Sequence, residues 1–498
     1  SFSNGMYAQV PVENYSGNNV SGNSNGIVRY FTVSSTADGS STGPFARNSF
    51  TQPLNASNDN FGGISVWDFT MNSSGRQISR LNSGGDWTIS GTLVVNDGTV
   101  FFGSGGSGYG NSTIANIDVR GSGLLNMDQT NKAMVVSGNI SVSSSSNSAL
   151  VLSGTPGGDL RLGGNFTKTA GTFNCNGRQV QFNGNGNQSW SSNTGENINF
   201  LLNAKSGGTL TFSSNITIPN SGNSATFNTG TTTVIGTGVT FTMNEATTMT
   251  AGNSGSTITV NGTLRNTGNP NGATISSTSS TLVFSSSGTY DHNPTRSGIA
   301  GGAGTRLGVI PSASWQTGST CLISGLTNPN AGGWFSGADQ TFSNFTWNTT
   351  SMTTEPNMSG ATLTVNGTFT LSSTNSSEIR MGTSTNGIIN CVNYTQTGGT
   401  LNMSNGSGNG TISCSGTWNR TGGTITESAS GSGIIVFNGT ANQSVTNTNP
   451  ANVTNTINFR LNNAAGFTLA TGSTLPVNNG ATFFRTNGAV SGTGVIAY

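Results

Sequence analysis

The chain has 498 residues, of which 74 are glycine; only 7% are charged and 32% hydrophobic, with a formal net charge of +1. A balance this even, with no basic run, argues against nucleic acid and anionic membrane surfaces as partners, and no apolar stretch approaches the roughly 18 to 20 residues of a membrane-spanning helix. Disorder is argued against by the other half of the composition, because 25 Phe, 7 Trp and many alternating Val, Ile and Thr are the residues of packed strands.

Residues 1–85 do not repeat and read as a cap or small β domain, with strand-like pieces at Ile27–Val33 and Gly63–Met71. The chain starts at Ser1 with no signal-like segment, so it is expected to be a processed or trimmed one. A repeat array is expected to begin at Asp86–Phe102, where β-branched and polar residues alternate and Asp97-Gly98 supplies a turn. Similar phrases follow from Ile117, Met134, Leu160, Leu210, Thr233 and Ile258, carrying the solenoid through 86–288. Glycine at the corners suits the left-handed backbone that a corner needs, with asparagine as its usual substitute.

Residues 289–350 are the least regular and are expected to form an excursion within the array. They hold the only histidine, His292, beside Asp291 and Arg296, the densest titratable group in the chain. A turn built on Asp and Asn accounts for this group as well as a site does. Trp334, in the glycine-rich Ala331–Gly337, is the tryptophan expected to be exposed and able to stack on a sugar ring, whereas alternation places most other aromatics in the core. These four residues are the candidate ligand contacts.

The clearest repeat lies in 351–498. VNGTFTLSS from Val365, CVNYTQTGGTL from Cys391 and CSGTWNRTGGTI from Cys414 recur at the spacing of one solenoid turn. Cys391 and Cys414 would then stack on adjacent turns, as two small buried residues or as a disulfide. A longer duplication overlies the short one. GNFTKTAGT (Gly164) and VQFNGNGNQSW (Val180) return as GTWNRTGGT (Gly416) and IVFNGTANQSV (Ile435), and a weaker third echo spans Phe335–Thr350. The fold expected is all-β, a right-handed parallel β-helix (β-solenoid) with coils of about 22 to 26 residues and a non-repetitive N-terminal cap; some 15 to 17 coils would make a rod of roughly 70 to 80 Å.

The run Tyr290, His292, Ile310-Pro311, Trp315, Gly318–Cys321, then GADQTFSNFTWN from Gly337, LTVNGTFTL from Leu363 and NYTQTGGTLNMSNGSGNGTISCSGTW from Asn393 resembles large secreted repeat proteins of Bacteroidota. The resemblance covers residues 281–498 well and 86–281 more loosely. It implies a β-solenoid exported by the type IX secretion machinery to the cell surface or beyond, in adhesion or scaffolding. The chain departs from the pattern in an expanded stretch between Asn293 and Val309, and no type IX sorting domain follows, so that domain is expected to have been removed or the chain to be a fragment.

Chemistry is sparse. Sixteen acidic residues are scattered, without the clustered carboxylates that a polysaccharide-cleaving β-helix needs. Asp118 and Asp128 cannot be placed on one face, and Glu378 with Arg380 reads as a surface ion pair. No G-x-S-x-G elbow accompanies His292, the glycines of Gly103–Gly110 precede no helix, and no C-x-x-C pair suggests a metal. No enzyme, cofactor or metal is therefore expected. The function expected is an extracellular stalk, filament or layer whose partners are its own copies or surface glycans. The alternative is a glycan-binding or glycan-degrading β-helix.

Overall fold

A computed structural model describes residues 86–103, 111–127, 130–219, 222–251, 255–268, 273–294, 307–326, 333–353, 355–428 and 430–498. It also describes the strands Tyr7–Val10, Phe31–Ser34, Asn48–Thr51, Asn58–Phe61, Ile64–Val66 and Asp68–Arg80. The protein is a parallel β-solenoid of about 16 turns, nearly all β. Among the described residues the one helical segment is a single 3-10 turn, Pro450–Asn452. The chain divides into two compact units, residues 1–219 with 223–239 and 252–257, and residues 258–498 with 220–222 and 240–251.

In the first unit Tyr7–Val10, Phe31–Ser34 and Asn48–Thr51 pair antiparallel, after which the pairings among the described residues are parallel. The parallel ladder already includes Ile64–Val66 and Asp68–Arg80, both paired with Trp87–Phe101. Gly98, at φ +82°, lies inside that strand and bends it at a corner; the chain does not reverse there as in a hairpin. Further on, Met134–Val136, Leu160–Leu162, Gln179–Phe182, Phe200–Asn203 and Ser224–Phe227 stack as one ladder. Ile140–Val142, Phe166–Lys168, Gln188–Ser192, Thr209–Phe212 and Thr232–Ile235 stack as a second.

In the second unit the principal ladder runs from Thr240–Met243 through Thr263–Gly268, Thr289–Pro294, Thr320–Ile323, Asn344–Asn348, Thr362–Ser373 and Gly387–Gln396 to Trp418–Arg420. A short sheet of Ile379–Gly382, Thr400–Ser404 and Thr424–Thr426 closes another side. The irregular stretch is narrower than the sequence suggests: Thr289–Pro294, Thr320–Ile323 and Asn344–Asn348 are ordinary ladder strands, and 295–306 lie outside the described residues.

The sequence builds this fold by alternation. Leu160–Leu162, Gln179–Phe182 and Trp418–Arg420 each bury every second side chain, so one register places a whole inward set above the last. Coil-to-coil hydrogen bonds join residues about one turn apart, as Gln179 to Asp159, 20 apart, and Asn165 to Asn139, 26 apart. Rings stack along the axis at repeating positions: Phe166 on Trp190 at 3.8 Å, Phe284 on Trp315 at 4.4 Å and Tyr394 on Trp418 at 4.1 Å, with interplanar angles of 7°, 11° and 8°. Corners depend on left-handed residues. At Gly423 (φ +69°) an added Cβ would come 2.3 Å from the Gly398 carbonyl oxygen, whereas Asn176, Asn375 and Asn455 take positive φ where space allows.

Candidate functional site

Strand Thr289–Pro294 pairs with Thr263–Gly268 on one side and Thr320–Ile323 on the other, pointing Tyr290 and His292 inward. His292 is fully buried. Its Nε2 lies 2.6 Å from the Leu307 carbonyl oxygen and its Nδ1 3.1 Å from the Tyr290 hydroxyl. A carbonyl only accepts, so Nε2 carries the proton and Nδ1 accepts from Tyr290. Asn266 donates its side-chain amide to the Tyr290 hydroxyl at 3.3 Å. Burial lowers the His292 pKa to about 4, partly opposed by the bond to Leu307 and the charge of Asp291. The imidazole is a neutral link between the ladder and the far end of the irregular stretch, with no open position for a substrate.

Asp291 points the other way. Its carboxylate meets Arg265 Nε at 2.7 Å and accepts from the Ser324 hydroxyl, which in turn accepts from Asn293 Nδ2 at 2.7 Å. Asp291 and His292 are thus neighbours in sequence on opposite sides of the wall, and Asp291 pairs with Arg265, an arginine that sequence reasoning did not associate with it. Arg296 lies outside the described residues.

Trp334 is half-buried rather than outward. Its ring stacks on Trp347 at 5.8 Å and 14°, and meets the edge of Phe335 at 5.1 Å. His292 packs edge-on against the same Phe335 at 5.2 Å. The structure therefore brings His292 and Trp334 together across Phe335 as core packing. Trp87, Trp190, Trp347 and Trp418 are fully buried, and Trp315 bonds Gln340 Oε1 at 2.8 Å.

Other charged groups pair locally or between coils. Asp118 pairs with Arg120 at 3.3 Å, and Asp128 lies outside the described residues. Arg380 Nε meets Glu378 at 2.7 Å and its guanidinium reaches Glu355 at 3.6 Å, while Asn402 donates to both Glu378 oxygens. Among the described residues no three of His, Cys, Asp and Glu converge to hold a metal ion, and no helix is long and apolar enough to cross a membrane.

What sequence reasoning missed is a set of buried polar links, and the longer duplication held the signal. Gln188 donates to the Leu162 and Gly164 carbonyls at 2.9 and 2.6 Å while its Oε1 accepts from Gly184 N–H. In the other unit Gln443 does the same with Cys414, Gly416 and Gly439. Each glutamine oxygen takes a second donor from the following coil, Lys205 Nζ for Gln188 and Asn463 Nδ2 for Gln443. Gln340, in the third echo, likewise donates to the Pro311 and Gly337 carbonyls. Lys168 and Arg420 also correspond: each reaches the carbonyl of its own corner glycine, Gly171 or Gly423. Lys168 then meets Asn193 at 2.8 Å and Glu196 at 3.2 Å, and Arg420 meets Gln396 and Asn447.

No protein-family model, curated protein or solved structure matches the chain.

Proposed function

We propose that the protein is an extracellular structural or adhesive solenoid, exported by the type IX secretion machinery, that acts by holding a surface in place rather than by catalysis. The observation supporting this reading is where its polar chemistry goes. Lys168, Lys205, His292 and Arg420 are all buried, and every one is bonded to main-chain carbonyls inside its own unit. Side chains that would do acid–base work in an enzyme serve here to join one coil to the next, which suits a stiff scaffold. Its partners are further copies of itself or surface glycans.

Electron microscopy of native material and surface labelling of intact source cells test this reading. Labelled fibres, rods or a layer outside the cell are expected. Labelling that appears only after the cells are permeabilised would overturn the extracellular assignment. Turnover of a polysaccharide by the purified chain would overturn the non-catalytic one.

A further inference from the structure

On the principal ladder of the second unit, each core aromatic stands between two outward residues. The outward residue after the ring is Thr346, Thr370, Thr395 and Asn419 on four successive coils, and Thr446, after Val445, continues the file on the fifth, all in register. The one before it is Asn344, Thr368, Asn393, Thr417 and Ser444. Strand geometry sets the two repeats of this grid: about 4.8 Å from coil to coil and about 6.7 Å between files.

Three features make the grid more than a polar surface. It is rigid, because the rings beneath it, Phe345, Phe369, Tyr394 and Trp418, are buried and stacked with interplanar angles of 7°, 21° and 8°. The file before the rings is further pinned where Asn344 accepts from the Thr368 N–H and Asn393 from the Thr417 N–H, both at 2.9 Å. It is level and uncharged, since no side chain in either file is larger than asparagine. Its hydroxyls are also available: among the described residues those of Thr346, Thr370 and Thr395 meet no protein partner.

We propose that this face is a binding surface for ice. A threonine offers one hydroxyl and one methyl group, so a fixed file of them orders water between the methyls while anchoring it at the hydroxyls. The coil repeat is close to the repeat of water molecules across the prism faces of hexagonal ice, so the ordered water continues the crystal. A lysine or carboxylate would impose its own hydration shell and break the match, and both files lack them. A sugar polymer is the less favoured occupant, because the face has no outward aromatic on which a pyranose ring could stack. This inference is independent of where the chain is exported.

The test is thermal hysteresis and ice recrystallisation inhibition by the purified full chain. The wild type is expected to hold a faceted crystal across a measurable gap between melting and growth. The double variant Thr370→Lys/Thr395→Lys is expected to lose most of that gap, whereas Thr411→Lys, on the strand Gly410–Cys414 that pairs with the Gly387–Cys391 part of the long strand Gly387–Gln396 rather than with its Thr395 part, retains it. Thr395→Gln, uncharged but taller than its neighbours, is expected to reduce the gap severalfold with an unchanged β-sheet circular dichroism spectrum. A wild type no more active than an equal mass of albumin would overturn the proposal. So would a correctly folded double variant with full activity, or retention on insoluble cellulose or chitin without any effect on ice.

Discussion

The imidazole of His292 and the carbonyl of Leu307, 15 residues apart in sequence and 2.6 Å apart in space, close the irregular stretch against the ladder. The link holds only while the ring is neutral at Nδ1, where it accepts from Tyr290. Burial depresses the folded pKa to about 4, below the ordinary 6.5. The unfolded chain therefore takes up the proton first as pH falls. The stabilisation is complete above about 6.5 and is lost as pH drops through about 4, amounting to about 3 kcal/mol across that window. His292→Gln keeps a donor for Leu307 and does not titrate. Denaturation midpoints at pH 7.5 and 4.5 are expected to fall further for the wild type than for the variant; equal falls would show that His292 is not the titrating link.

The pair Lys168 and Glu196 is almost fully enclosed, with side chains 1% and 6% exposed. Removing one partner leaves a charge without its counterion, and Lys168→Met or Glu196→Leu is expected to destabilise the local coils by about 3 to 5 kcal/mol. Replacing both together removes both charges and is expected to cost clearly less than the sum. Because repeat arrays need not unfold in one step, the readout is hydrogen exchange of the amides around Trp190, whose protection should drop in the single variants and largely return in the double.

Gln188 and Gln443 make one prediction in two places. Changing either to leucine leaves a carbonyl (Gly164 or Gly416) and a glycine N–H (Gly184 or Gly439) without their partner, at about 1 to 3 kcal/mol for each buried group left unsatisfied, while the Leu162 and Cys414 carbonyls keep the main-chain donors Asn183 and Asn438. Gln188→Glu keeps the acceptor but loses the two donor bonds, and is expected to fall between wild type and Gln188→Leu in hydrogen exchange at Gly184. An undiminished protection pattern in Gln188→Leu would show that the amide does not hold the coils together.

How much of this was legible follows from the range of the interactions. Alternation and spacing are local, so the stacking of Cys391 over Cys414 and the inward tryptophans could be read from one coil's sequence and its neighbour's. The corner glycines announced themselves for the same reason. The partner of His292 could not be read, since Leu307 lies beyond an excursion whose path no periodicity describes, and the alternation that sends His292 inward also sends Asp291 outward to Arg265. The buried links were half visible. Gln188 and Gln443 stood in matching phrases, but Lys168 matched Arg420 only as one cation replacing another, which composition reads as a solvated surface pair. Only burial distinguishes the two.

Cys391 and Cys414 face each other in register on adjacent strands as buried free thiols. Hydrogen bonding to Cys414, together with burial, raises the Cys391 thiol well above its ordinary value. At the ladder repeat of about 4.8 Å the two Cα atoms lie within the range that a disulfide can span, so spacing alone does not forbid one. The Cys414 thiol is instead directed at the main-chain carbonyls of Val392 and Thr417, at 3.3 and 3.5 Å. The thiols are therefore expected to persist after purification without reductant, to resist iodoacetamide in the native protein and to react fully once it is unfolded. An intact mass two hydrogens lighter, with a Cys391–Cys414 crosslinked peptide after digestion, would show instead that the Cys414 thiol turns from those carbonyls to Cys391.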